Sequence, residues 1–107
     1  MNEHDEVCIK RIKDEINFIL NTMKVIDKNI FLNNRLFQHA ITMSLVIIGE
    51  NINHLSQEFK KEYSQIEWVQ VVAVTIASQG YWQLNMSKVW KAVETDITKL
   101  KTFFDEF

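Results

Sequence analysis

Residues 35–56 read RLFQHAITMSLVIIGENINHLS, and the spacing of their apolar side chains decides the fold. Leu36, Ala40, Met43, Ile47 and Leu55 fall on one helical face; Phe37, Ile41, Leu45, Ile48 and Ile52 widen it. Residues three and four apart share a face where 3.6 residues make a turn, so this stretch predicts a helix from Arg35 to Ser56. Asn33 or Asn34 can cap it, because an Asx side chain accepts hydrogen bonds from first-turn amides. A stripe this broad predicts packing on more than one neighbour, or contact with a second subunit. Gly49 inside it costs about 1 kcal/mol relative to alanine, and close approach of another helix is the expected compensation.

The flanking sequence carries the same period. Cys8, Ile12, Ile16, Ile19, Met23 and Ile26 predict a first helix from about Asp5 to Ile26. Residues 27–34 are polar apart from Ile30, Phe31 and Leu32 and read as a connector. After the charged stretch QEFKKEYSQIE a third helix is expected from about Glu67 to Gln79, ended by Gly80 in the left-handed conformation. Asn85 then caps a fourth helix with Val89, Val93, Ile97, Leu100, Phe104 and Phe107 on one face. Proline is absent and glycine occurs twice, which disfavours sheets and hairpins. The expected fold is all-α: an up-and-down four-helix bundle forming a single domain over residues 1–107, with a short extra helical turn between Gln57 and Gln65.

Composition bounds the function. The 107 residues are 47% hydrophobic and 24% charged, as in an ordinary globular chain. A formal charge of −2 gives no general electrostatic footprint for RNA, and Lys10-Arg11-Lys13 and Lys60-Lys61 read as solvated helix faces. Cys8 is the single cysteine, suits a reducing compartment and reads as a small apolar residue. The opening MNEHDE is polar and acidic, so no signal peptide is expected, and no apolar run is long enough for a membrane span. A cytoplasmic location follows as the expectation. His39 and His54, 15 residues apart on one helix, are separated by about 22 Å and cannot share a metal; both read as surface histidines. His4 falls in a fraying terminus, and no metal or cofactor is expected. Tyr81, Trp82 and Trp90 cluster around the last loop as a bundle-end or interface group, with base stacking the alternative.

Four stretches in order, RIKDEINFIL, VIIGENINHLSQEFK, IEWVQVV and GYWQLNMSKVWKAVETDITKLK, resemble the HepT-like HEPN proteins, ribonucleases of toxin–antitoxin pairs. The resemblance implies a helical bundle that dimerises and brings two motifs to a shared cleft. It implies metal-independent RNA cleavage by an arginine and a histidine. It also implies a minimal nucleotidyltransferase partner that attaches AMP to a motif tyrosine. Carried over residue by residue, the arginine position is Val74, the following asparagine is Thr75, the histidine position is Gln79, and the tyrosine is matched by Tyr81. A glutamine amide does not titrate near neutral pH and cannot move the proton. A valine offers no charge to a phosphate. Glu50, which interrupts the apolar run LVIIGENI, is expected to face the motif helix, either as a cleft residue or as an inert carboxylate at its edge.

The expected function is therefore a dimeric HepT-like partner protein without the family's ribonuclease activity, with Tyr81 an AMP acceptor or docking residue. The alternatives are an active ribonuclease toxin built on other residues, or a regulatory subunit pairing with an intact HEPN protein.

Overall fold

The computed structural model describes residues 1–80 and 83–107. They form α1 (Glu3–Met23), α2 (Lys28–Leu32), α3 (Arg35–His54), α4 (Gln57–Glu62), α5 (Val72–Ala77) and α6 (Met86–Phe104), with a 3-10 turn at Trp68–Gln70 before α5. There is no strand among the described residues. The all-α helical bundle read from the sequence is the fold observed.

α3 is the central element: α1 packs along one side of it and α5 along another, while α6 closes on α1 and α2 bridges α3 and α6. Ile12, Ile16 and Ile19 of α1, Ile41, Leu45, Ile48 and Ile52 of α3, and Val93, Ile97 and Phe104 of α6 are all at most 1% exposed. Each such side chain contributes roughly 1.5–3 kcal/mol of burial free energy, so these three stripes hold the bundle together.

Local chemistry sets the ends. Asn2 caps α1 by accepting from the Asp5 N–H, starting the helix at Glu3 rather than Asp5; it stops at Met23, short of the expected Ile26. The segment read as a connector folds: Asp27 caps the short α2, whose Phe31 is fully buried against Trp90 with ring centroids 5.2 Å apart. Asn34, not Asn33, caps α3 through the Phe37 N–H at 3.1 Å. α3 ends at His54, because Ser56 serves as the cap of α4, which is the extra turn expected in this region.

The third helix departs most from expectation. Residues 67–79 give a 3-10 turn and then only Val72–Ala77 as α-helix. The segment is rich in valine, threonine and isoleucine, whose β-branched side chains lose rotamer freedom in a helix. Neither N-terminus has a side-chain cap. α5 ends at Ser78, whose hydroxyl donates to the Thr75 carbonyl at 2.7 Å, and no glycine among the described residues takes positive φ. Gly80 therefore does not act as the expected left-handed stop.

Candidate functional site

Gly49 sets the approach of α5 to α3. A Cβ at this position would collide with the Ala73 carbonyl and come within 2.9 Å of the Ala77 Cβ. The missing side chain lets the two backbones touch, which offsets the helix cost of glycine. α5 is thereby fixed along α3, and its residues take definite places. Val74 is 9% exposed and turned into the core. Thr75 is exposed, and its hydroxyl is shared with the Val71 carbonyl at 3.4 Å. Gln79 lies past the end of α5 and is exposed, its N–H bonded to the Ile76 carbonyl at 3.1 Å. Tyr81, the expected AMP acceptor or docking residue, and Trp82 lie outside the described residues.

Gln79 lines a cleft of about 410 Å³ together with Leu84 and one face of α3. The α3 wall is Leu36, His39, Ala40, Thr42, Met43 and Val46. Leu36 is 75% exposed and Met43 58% exposed, so two members of the predicted core stripe instead face outward. His39 is the only titratable side chain on the cleft wall among the described residues. It is exposed, as expected, but it sits in the same cleft as Gln79, which sequence reading missed. The signal was present: His39 is three residues after Leu36 and four before Met43, an imidazole set inside an apolar stripe. Glu50 is exposed and is not part of the cleft wall; its neighbour Gly49 is the residue that meets α5.

The remaining candidates are structural. His4 is held in the first turn of α1, its Nε2 2.7 Å from the His54 carbonyl oxygen and 3.7 Å from Cys8 Sγ, so the terminus is tied down where fraying was expected. Cys8 is 1% exposed, and burial pushes its thiol pKa up, with Arg11 opposing and Asp5 reinforcing the shift. No three histidine, cysteine or acidic side chains gather into a metal-ready group among the described residues. Trp90 is 4% exposed in the core, which removes it from any exposed stacking platform. No helix is long and apolar enough to cross a membrane among the described residues.

Positions 74 and 75 thus lie on the short α5 packed against α3, and position 79 lies just past its end. The family model of ribonuclease HepT-like proteins matches residues 9–107. The chain belongs to the ribonuclease HepT-like family. Putative RNase MJ1380 of Methanocaldococcus jannaschii is 29% identical over 91 residues, covering 84% of each chain. Putative RNase TTE0752 of Caldanaerobacter subterraneus is 24% identical over 94 residues, covering 87% of this chain and 84% of the relative. Probable ribonuclease HepT of Thermococcus cleftensis is 29% identical over 77 residues, covering 71% of this chain and 70% of its own. No solved structure matches the chain. Val74 and Thr75 of α5, and Gln79 just past its end, carry uncharged side chains.

Proposed function

We propose that this HepT-like chain acts as a homodimeric binding partner of a minimal nucleotidyltransferase in a toxin–antitoxin-type module, without the family's metal-independent ribonuclease chemistry. The observation that carries this reading is the state of the motif positions: Val74 is packed in the core and Gln79 presents an uncharged amide. General acid–base catalysis and electrostatic stabilisation of a reacting phosphate are each worth on the order of 10²–10³ in rate. Their joint loss leaves little of the family reaction. A second copy of the chain is the proposed cover for Leu36 and Met43, whose apolar surface α3 leaves outside the bundle. A two-fold approach across this face would set two clefts side by side and join them into one groove. The lone cysteine suits a reducing cytoplasm. Tyr81, matched to the motif tyrosine, is the proposed AMP acceptor.

Two measurements test the reading. Purified protein, freed of contaminating nucleases, should leave RNA intact. Incubation with ATP and a minimal nucleotidyltransferase, taken from beside this chain's own gene where one is encoded there, should add AMP units to the intact mass, and Tyr81→Phe should abolish them. RNA cleavage that co-purifies with the chain overturns the first part. An unchanged mass beside an active transferase overturns the second.

A further inference from the structure

Six aromatic rings gather where Phe59 of α4 meets the end of α6. Phe59, Trp68 and Phe104 are buried, with ring centroids 6.0 Å apart from Phe59 to Trp68 and 6.4 Å apart from Trp68 to Phe104, and they close the core. Tyr63, Phe103 and Phe107 form a second layer that is only half-buried. Tyr63 stands at 81° to Phe103 and 82° to Phe107, with centroids 5.5 and 5.3 Å away, so ring faces and a ring edge meet at one surface. These three rings line a cleft of about 580 Å³, within the range of about 300–1,000 Å³ that holds small ligands. Both sides of it are anchored. Trp68 Nε1 donates to the Lys60 carbonyl at 3.3 Å, and Lys13 Nζ donates to the Phe107 carbonyl at 2.6 Å.

The rim is charged at two points. Lys99 and Glu106 both line the cleft, with Thr102 between them in sequence on the same wall. α6 pairs Lys101 with Asp105, four residues on, at 2.9 Å. Lys99 and Glu106 are seven apart, about 10.5 Å along the axis, and form no ion pair among the described residues. Tyr63 adds a hydroxyl and Gln65 an amide to the cleft. A cation and a carboxylate at two ends of an aromatic floor select a ligand of the reverse polarity: a carboxylate for Lys99, an ammonium for Glu106 and an apolar side chain for the rings. One amino-acid residue spans about 3.5 Å and two span about 7 Å. A charge-assisted hydrogen bond of about 2.8 Å at each end carries either length across the gap.

We infer that this cleft binds a small apolar zwitterion, an amino acid or a dipeptide, with Lys99 on its carboxylate, Glu106 on its ammonium and Tyr63, Phe103 and Phe107 against its side chains. The site shares no lining residue with the cleft beside Gln79, which touches Leu84 ahead of α6, a helix about 28 Å long. It stands whether or not the chain cleaves RNA, dimerises through α3 or accepts AMP at Tyr81.

The test follows the ring resonances of Tyr63 in the full chain during titration with phenylalanine, with leucyl-phenylalanine, and with the N-acetylated and C-amidated forms of that dipeptide. The better zwitterion should shift the ring saturably with a Kd of about 1 mM or tighter. Blocking either end should weaken binding about fivefold, the ceiling for one exposed ion pair. Lys99→Gln should weaken the free dipeptide by the same factor and leave the amidated one unchanged; Glu106→Gln should do so for the free and the acetylated forms. Phe103→Leu, which keeps the site apolar, should cost about fivefold through the lost ring contact while the helical circular dichroism is kept. Tighter binding of the dipeptide than of phenylalanine assigns the site to peptides, and the reverse assigns it to the free amino acid; both support it. Tyr63 resonances unmoved by all four ligands overturn the inference. So does an affinity for the free zwitterion that is unchanged in both Lys99→Gln and Glu106→Gln, since the rings alone would then be binding any apolar molecule.

Discussion

The side chain of Asp5 accepts both the backbone N–H of Ser56, at 2.8 Å, and its hydroxyl, at 2.6 Å, across 51 residues of chain. The same Ser56 oxygen accepts from the Phe59 N–H at 3.1 Å, so one buried contact ties the start of α1 to the cap of α4. Asp5 is 2% exposed, and removing its carboxyl takes this partner from two donors of the half-buried Ser56. We expect Asp5→Ala to destabilise the fold by about 1–3 kcal/mol, the cost of leaving such hydrogen-bonding groups unpaired. Chemical denaturation of Asp5→Ala, Ser56→Ala and the double variant should show coupling of about 1–3 kcal/mol. Additive losses would mean the two residues stabilise the fold independently.

Gly49 yields the second expectation. Alanine there gains about 1 kcal/mol of helix propensity, but its methyl meets the backbone of Ala73, which cannot rotate away. Overpacking of this kind costs about 1–3 kcal/mol and can exceed that against a fixed carbonyl. Gly49→Ala should therefore lower stability on balance and loosen α5, seen as faster amide exchange at residues 72–77. A more stable Gly49→Ala protein would show that α3 and α5 separate readily.

How far the sequence could be read depends on the length of each pattern. The apolar stripes of α1, α3 and α6 run for several turns, and their identity as helices was plain. Asn34 and Asn85 are short-range caps whose signals lie within three residues, whereas Ser56, read as the last residue of the second helix, caps α4 instead. α5 was misjudged because apolar periodicity says little about a segment of β-branched residues, where helix, 3-10 turn and strand share the same pattern. α2 was missed because a five-residue helix has too few turns to show a period. The fates of Leu36 and Met43 depend on which arc of a broad stripe faces the bundle, and that is set by neighbours distant in sequence. His39 and Gln79, 40 residues apart, line one cleft where α5 packs close on α3 at Gly49.

Cys8 gives an expectation in pH. Its thiol pKa is raised, first by burial, so the folded state holds the proton more tightly than the unfolded chain does. Through this group the stability is full below the unfolded thiol pKa and falls as pH rises above it toward the folded value. Cys8→Ala should remove part of the alkaline loss of stability expected above about pH 9, measured by denaturation midpoints at stepped pH. A slow reaction of native Cys8 with thiol reagents, fast only on unfolding, is the companion result. A Cys8→Ala profile parallel to the parent's would locate the alkaline loss elsewhere.

The exposed apolar arc of α3 gives a fourth. If Leu36 and Met43 are covered by a second copy, the combined Leu36→Glu/Met43→Glu variant buries two carboxylates in an apolar contact. Interface anchors cost about 2 kcal/mol or more on truncation, so the variant should be monomeric in light scattering at tens of micromolar protein with its helical content intact. Dimerisation unchanged by the two charges would place the interface on another face. A monomeric parent at that concentration would remove the homodimer altogether.

The final expectation concerns reversal of the motif losses, where the two positions differ in what the fold tolerates. Gln79 is exposed beyond the end of α5, so Gln79→His should fold with stability within about 0.5 kcal/mol of the parent. Val74 is 9% exposed against the core, and Val74→Arg would have to bury a guanidinium or drive α5 off α3. A buried unpaired charge costs several kcal/mol, so Val74→Arg should be strongly destabilised, and Val74→Arg/Gln79→His with it. Ribonuclease activity should therefore not return in a well-folded double variant. Thermal melts separate the outcomes: a near-parental Tm for Gln79→His and a collapse for Val74→Arg are expected. A stable, RNA-cleaving Val74→Arg/Gln79→His protein would show instead that α5 can turn residue 74 outward, and that only two side chains stand between this chain and the family's chemistry.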